Sequence, residues 1–272
     1  MTAFLEGIEQ TPTQVGDRVL GTPILYADAG AWMGLFPASM GALRRLLPSR
    51  ELKPARLAPG VGLVGVVGYD YRVTPVGPYL EVGILIPLAR GLNVPVKALA
   101  AAQLGGRSHV YVQWLPVDRA DATGGEAIWG MDSVVADITR DGEGTFALVD
   151  HRGPVLELRC DPNIKTRPRE GKVMESTLYT WLEERTQSFD VRLNVLEEGA
   201  SARFGSSRVT LNEDHPRGRA LAQVLLSRKA IATSVVPRSE SILYLPERIP
   251  PGVLLHGRGG DVAVAAPSEA GA

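Results

Sequence analysis

Cysteine is nearly absent. Of 272 residues only Cys160 is a cysteine, which excludes an internal disulfide framework and any zinc site built on several thiolates. Neither sign of charge is in excess: 29 Lys+Arg stand against 30 Asp+Glu. The chain therefore lacks the electrostatic footprint of a nucleic-acid groove or an anionic-membrane surface. Long hydrophobic runs are missing too. Stretches such as Val61–Val67 are broken by glycine and fall far short of the ~20 residues that span a bilayer. The opening MTAFLEGIEQ has no basic stretch leading into an apolar one, so no secretory leader is read there and a reducing, cytoplasmic setting is expected. Lysine is scarce, with Lys53, Lys97, Lys165, Lys172 and Lys229 against a large majority of arginines.

Several chemistry-bearing motifs are absent as well. No phosphate-binding G-x-x-x-x-G-K-[ST] occurs, and no strand–GxGxxG–helix fingerprint; Gly257–Gly260 (GRGG) comes late and has no helix after it. No G-x-S-x-G nucleophile elbow is present. His109, His151, His215 and His256 lie far apart with no metal-binding spacing. Nothing in the sequence asks for a metal or a cofactor.

What is present is turn-forming and strand-forming. Thirty glycines and twenty prolines make about 18% of the chain, against a typical ~12%. Residues 1–20 read as a polar N-terminal arm, 21–260 as a single domain, and 261–272 as a disordered tail. Ser39–Leu47 places Met40, Leu43, Leu46 and Leu47 at helical spacing, with Ser39 as N-cap and Pro48 as the stop. Val61–Arg72 and Tyr79–Pro87, joined by TPVGP, read as an antiparallel strand pair. Lys97–Gln103 reads as a short helix, His109–Leu115 as a strand, and Gly124–Gly130 as a glycine-flanked loop or single turn. Two further strand pairs are predicted, Ser133–Thr139 with Thr145–Asp150 and Val155–Cys160 with Val191–Glu197. Between the last two lie a charged loop (Asp161–Lys172) and a helix (Met174–Arg185). A helix near Gly218–Arg228 and a strand near Val253–Leu255 complete the pattern. Many short strands with few helices predict an α+β, mostly β domain: a barrel or sandwich with peripheral helices.

Three segments, in order, resemble the acetoacetate decarboxylase-like superfamily. They are Met40–Pro48 (MGALRRLLP), Gly68–Pro87 (GYDYRVTPVGPYLEVGILIP) and Gly125–Ile138 (GEAIWGMDSVVADI). The first is similar to the family's helix ending in a pair of large aliphatics and Pro. The second is similar to its aromatic–acidic–aromatic strand, turn and Y-x-E strand. The third is similar to G-R-E-[IL]-W-G-[FY]-P-K-K-L-A-D-I. The resemblance implies an antiparallel, cone-like β-barrel with helices outside, and a homo-oligomer. In that family a lysine of the K-K pair forms a Schiff base with a β-keto acid, its pKa lowered by the neighbouring charge. Here the pair falls on Ser133 and Val134 and the preceding Pro on Asp132. The family's G-R-E reads Gly125-Glu126-Ala127, and an upstream arginine falls on Ala29. The resemblance thus implies the fold without the imine chemistry at its usual position.

The same resemblance makes Glu81 the pocket carboxylate and Asp70 the acidic residue of the preceding strand. Alternation puts Tyr79, Glu81 and Leu85 on one face. If that face lines a barrel, desolvation raises the Glu81 pKa and poises it as acid or base; if it is an edge, Glu81 points at water. Asp70 either joins Glu81 at a shared cavity or pairs with Arg72 at i+2. Glu126 is the third candidate catalytic carboxylate. Tyr79, Trp129, Met131, Asp132 and Ser133 are candidate substrate-binding residues, with core packing open for Trp129 and a polar strand start for Asp132 and Ser133. Arg107 and His109 read as solvated.

Three function classes follow. The first is an enzyme of lyase type using carboxylate acid/base chemistry, without an imine, on a small oxo-acid or polyketide-like carbonyl compound. The reaction would be enolisation, dehydration, cyclisation or decarboxylation. The second is a non-catalytic binding or structural protein of the same fold. The third is a Schiff-base decarboxylase with a displaced lysine, for which Lys97, among apolar neighbours, is the best placed. The expected partner is a small molecule, not nucleic acid or membrane.

Overall fold

The computed structural model describes residues 3–89 and 107–249. Strands β1 (Thr11–Val15) and β2 (Arg18–Thr22) form a hairpin of their own. Next come β3 (Ile24–Ser39), α1 (Met40–Leu46), the short β4 (Arg56–Ala58), β5 (Val61–Val73), β6 (Tyr79–Pro87) and β7 (Ser108–Trp114). A 3-10 turn over Ala120–Gly125 leads into the single-turn α2 (Glu126–Trp129). Then follow β8 (Asp137–Arg140), β9 (Thr145–Asp150) and β10 (Gly153–Cys160), and the long hairpin of β11 (Arg167–Leu182) and β12 (Arg185–Ser201). Strand β13 (Ser207–Leu211), α3 (Pro216–Val224), β14 (Ala232–Leu243) and β15 (Glu247–Arg248) complete the order.

Seven strands close into a barrel in the order β11-β7-β6-β5-β3-β14-β12, and β12 returns to β11. The barrel is mixed rather than antiparallel throughout. The β7–β11 seam is parallel, from Ser108↔Ser176 to Tyr111↔Tyr179. These two strands are not joined by a hairpin; β8, β9 and β10 intervene, so no tight turn forces them antiparallel.

A four-stranded sheet, β13-β10-β9-β8, packs against the outer face of β3, β5 and β6. This explains why β5 and β6 are apolar on both faces. Val64, Val66, Val82 and Ile84 join Phe146, Leu148 and Leu158 in one core outside the barrel. Val67 and Leu85 join Val112, Leu115, Trp129 and Met131 in a second core inside it. The two sheets approach closely at Gly68, where a Cβ would lie 2.3 Å from the Phe146 ring. Cys160 is buried in β10, its Sγ accepting from Ser207 Oγ at 3.3 Å.

The β5–β6 pair has the expected antiparallel register, with Tyr71 opposite Tyr79 and Tyr69 opposite Glu81. Ser39 caps α1, its hydroxyl accepting from the Ala42 amide. Five expectations are corrected. Met174–Arg185 is not a helix: it is the end of β11 and its turn, because Thr177–Tyr179–Trp181 alternate across a pairing that runs to Leu182↔Arg185. Within Asp161–Lys172, strand begins at Arg167. Val155–Cys160 does not pair with Val191–Glu197. It pairs with β9 and β13 in the outer sheet, whereas β12 pairs with β11 and β14 in the barrel. Of Ser133–Thr139, strand begins only at Asp137. Within the expected N-terminal arm, a hairpin begins at Thr11. The expected helix at Lys97–Gln103, the strand at Val253–Leu255 and the tail 261–272 lie outside the described residues.

Candidate active site

Inside the barrel is a cavity of about 240 Å³. Its polar wall is built by two strands side by side. Pleating turns Tyr69 and Tyr71 of β5 and Tyr79 and Glu81 of β6 to the interior, and Tyr26 of β3 joins them. The tyrosines cluster around Tyr71, which stacks with Tyr69 and Tyr79 and meets Tyr26 at a tilt. Ring centroids lie 4.6 Å apart for Tyr71–Tyr79, 5.5 Å for Tyr69–Tyr71 and 5.0 Å for Tyr26–Tyr71. Most of the remaining lining is apolar, from Leu115, Val112, Trp129, Met131, Leu178 and Leu243, with Ser133, Ser176, Ser239 and Ser241 among them.

Glu81 is 6% exposed. Its carboxyl has no hydrogen bond or ion pair with any described residue, and desolvation alone pushes its pKa up to about 8. Burial, reinforced by the Glu81 charge, raises the hydroxyls of Tyr26, Tyr69, Tyr71 and Tyr79 well above the usual phenol range, so all four stay protonated. The hydroxyls of Tyr26 and Tyr79 are near enough to influence each other's ionisation.

Trp129 is 2% exposed. Its indole N–H donates to the Tyr244 carbonyl at 2.8 Å, which fixes the ring in the wall. The chain then turns at Gly130, whose φ of 62° is left-handed and whose missing Cβ would meet Leu182 at 2.9 Å. That turn delivers Met131 and Ser133 to the cavity. Ser133, where the resemblance places the family's lysine, is thus a buried lining residue. Among the described residues no lysine or arginine lines the cavity. Lys97 lies outside them.

Five of the eight candidates, Glu81, Tyr79, Trp129, Met131 and Ser133, meet at this cavity. Asp70, Glu126 and Asp132 do not. Asp70 faces outward, one residue out of phase with Tyr69 and Tyr71. There it pairs with Arg140 of β8 at 2.6 Å and Arg72 at 3.1 Å. Arg140 in turn stacks 3.9 Å over Trp32, so Asp70 ties the barrel to the outer sheet. Glu126 is exposed on the first position of α2. Asp132 is exposed and pairs at 3.2 Å with Arg217, which lies 4.3 Å over Trp114. Arg107 is not merely solvated: it bridges Glu175 and Asp190, both at 2.8 Å. His109 sits 3.2 Å from the Tyr179 hydroxyl.

The sequence reading missed Tyr26, Tyr69 and Tyr71. The period-two pattern of GYDYR carried the signal for the last two: once Glu81 is placed inside, its cross-strand partner is a tyrosine and Asp70 faces away. Asp121 was also missed. It lies at the rim, where Arg119 at 2.9 Å and Arg18 at 2.7 Å hold its carboxyl below the usual range. Through Arg18, the β1–β2 hairpin is fastened over the cavity, and Val15 and Leu20 of the hairpin complete the wall. No three metal-ligating side chains cluster among the described residues.

No family model matches the sequence, and no curated protein does. Solved structures do match. An acetoacetate decarboxylase structure superposes with a TM-score of 0.59 at 14% identity, over 84% of this chain and 89% of that one. The enduracididine biosynthesis enzyme MppR with HEPES bound gives 0.58 at 15% identity, over 85% and 89%. MppR complexed with pyruvate gives 0.58 at 14% identity, over 88% and 98%. Superposition over most of both chains gives this chain the acetoacetate decarboxylase-like fold.

Proposed function

We propose that this protein is an enzyme of acid/base type that enolises a small carbonyl compound without forming an imine. The observation that carries the reading is Glu81: a carboxyl on the wall of an internal cavity, unpaired and desolvated. A solvated carboxylate near pKa 4 is a weak base for a carbon acid. Burial makes Glu81 a stronger one while leaving an ionised fraction near neutral pH. Asp121, the other carboxyl on the lining, is held acidic by two arginines and sits at the rim. Glu81 is therefore the group that accepts the α-proton, and the same group returns it. Return to the same carbon gives exchange, to another carbon isomerisation. Loss of a β-hydroxyl from the enolate gives dehydration. A barrel filled with side chains would have favoured a purely structural role, whereas this one encloses space. Ser133 at the lysine position and the lack of a lining lysine among the described residues support the imine-free route.

Exchange of ketone α-protons in D2O, followed by NMR over a panel of small ketones and β-hydroxy ketones, tests this. Glu81→Gln should keep the fold and lower exchange by ~10²–10⁴, the scale of a general base. Undiminished exchange in the Gln variant would remove Glu81 from the mechanism. Because kcat/KM reports ionisation in the free enzyme, it should rise with pH and level off above about 8.

A further inference from the structure

The tyrosine cluster specifies what the cavity holds, given the reading of Glu81 above. Mutual contact occupies the π-faces of these rings: Tyr69–Tyr71 and Tyr71–Tyr79 are inclined by only 20° and 27° at centroid distances of 5.5 and 4.6 Å, and Tyr26 leans on Tyr71 at 39° and 5.0 Å. A cation seeks an open aromatic face, so a cluster of mutually packed rings is a poor cage for one. What such a cluster offers the cavity is its edge, that is, its hydroxyls. Tyr26 and Tyr79 both pack on Tyr71, at 5.0 and 4.6 Å, and line the cavity together with Glu81, which shares a face of β6 with Tyr79. Two protonated hydroxyls beside a proton acceptor form the pair of functions that enolisation needs: one side removes the α-proton, the other receives the negative oxygen.

The remaining wall fixes the rest of the ligand. Val112, Leu115, Trp129, Met131 and Leu243 line the cavity beside Ser133, Ser176, Ser239 and Ser241, a mostly apolar surface that suits an apolar body. A ligand carboxylate would be desolvated beside Glu81, with no described lysine or arginine to pair with it, an arrangement that costs several kcal/mol.

We infer that Tyr26 and Tyr79 are the oxyanion donors of this site, and that its substrate is an uncharged ketone with an apolar body rather than an oxo-acid. In the step, the α C–H bond breaks and its proton passes to a Glu81 carboxylate oxygen. The C–H electron pair forms the Cα=C bond, and the carbonyl π pair moves onto oxygen, which accepts hydrogen bonds from the Tyr26 and Tyr79 hydroxyls. Reprotonation by Glu81 reverses the flow, so no oxidant or further reactant is required.

Three probes of similar size and different charge test the assignment by binding alone: phenol, benzoate and benzylammonium, titrated calorimetrically into the full-length protein. Phenol should bind at least tenfold more tightly than either ion, and Tyr26→Phe and Tyr79→Phe should each weaken it roughly 3- to 10-fold, the loss of one hydrogen bond. Circular dichroism checks that each variant is folded. If either Phe variant fails to fold, the order of the three probes on the wild-type protein decides. Tightest binding of benzoate would restore the oxo-acid, tightest binding of benzylammonium would make the site a cation receptor, and either overturns the inference. So does unchanged phenol affinity in both folded Phe variants, or no binding of any probe. Glu81→Gln should retain phenol. Should it retain phenol and also exchange α-protons at the wild-type rate, the acid/base reading fails while the ligand assignment stands.

Discussion

Glu81 sets a cost that pH can reveal. Its pKa stands near 8 in the folded protein against 4.5 for the ordinary side chain. The native state therefore holds a proton that the unfolded state releases throughout that window. The sign follows from linkage: where the native state binds more protons, stability falls as pH rises. Wild-type and Glu81→Gln proteins should differ by a constant amount below pH 4.5. The Gln variant should gain relative stability between pH 4.5 and 8, by up to about 5 kcal/mol, and hold that gain above. Thermal melts of both proteins over pH 4–9 check this, and a difference independent of pH would contradict the burial of an unpaired carboxyl. At this scale the sequence was legible where alternation and chemistry agreed. The resemblance supplies Glu81 as the pocket carboxylate, and a period of two puts Tyr79 on the same face. For Asp70 the resemblance points to the cavity and the i+2 spacing to an ion pair with Arg72, and the structure shows the ion pair. The position of Asp70, one residue out of phase, was already enough to send it outward, toward Arg140.

Among the elements, the β11–β12 hairpin carries the least favourable local geometry. Its two-residue turn is Glu183-Glu184, with φ of 50° and 60°, the left-handed pair that hairpin twist demands and that Asn-Gly satisfies best. Each non-glycine residue in that region costs on the order of 1 kcal/mol. Glu184→Gly should therefore raise the denaturation midpoint, by roughly 1 kcal/mol of stability, without altering activity. Glu183, whose exposed partner is Arg248 at 2.9 Å, is left in place. Chemical denaturation measures the effect, and a destabilised variant would show that the glutamate is held by something other than the turn. The same turn explains the misread helix. Leu178, Trp181 and Leu182 sit three and four residues apart, as on a helix face, followed by a charged Glu-Glu-Arg. No glycine or asparagine announces the reversal. Pairing with the complementary Thr186–Val191 segment decided the outcome, and that is a long-range term no local window contains. Strands β5 and β6 were legible for the opposite reason: Val, Gly and Tyr flank an explicit Pro-Gly turn.

At the scale of the whole molecule, the two cores divide labour. The larger lies between barrel and outer sheet and holds Phe36, Phe146, Leu148 and Leu158 at 0% exposure. The smaller lies inside the barrel and leaves the cavity open. This division was invisible in the sequence, since both cores draw on alternate residues of the same strands. A continuous apolar run such as Val61–Val67 announces burial on two sides without saying what covers each. The pairing of Val155–Cys160 was misjudged on that account: its residues suit either sheet, and only the connection through β9 assigns them to the outer one. The order of the three family-like segments was the more reliable guide, because it reports a topology rather than a local preference.

Cys160 turns this layout into a clock. It is the chain's one thiol, 1% exposed, and burial pushes its pKa up to about 11. Neither a reagent nor hydroxide reaches it while β10 stays on the barrel. Alkylation must therefore wait for the outer sheet to separate, and its rate counts those openings one molecule at a time. With excess iodoacetamide, intact-mass measurements should show no labelling over hours in buffer and one label at once in denaturant. At intermediate denaturant the labelling rate yields the free energy of undocking. If labelling begins well before the tyrosine and tryptophan signals of the barrel interior change, the outer sheet detaches first and the cavity outlasts its own wrapping. If the two coincide, barrel and sheet open as a single cooperative unit.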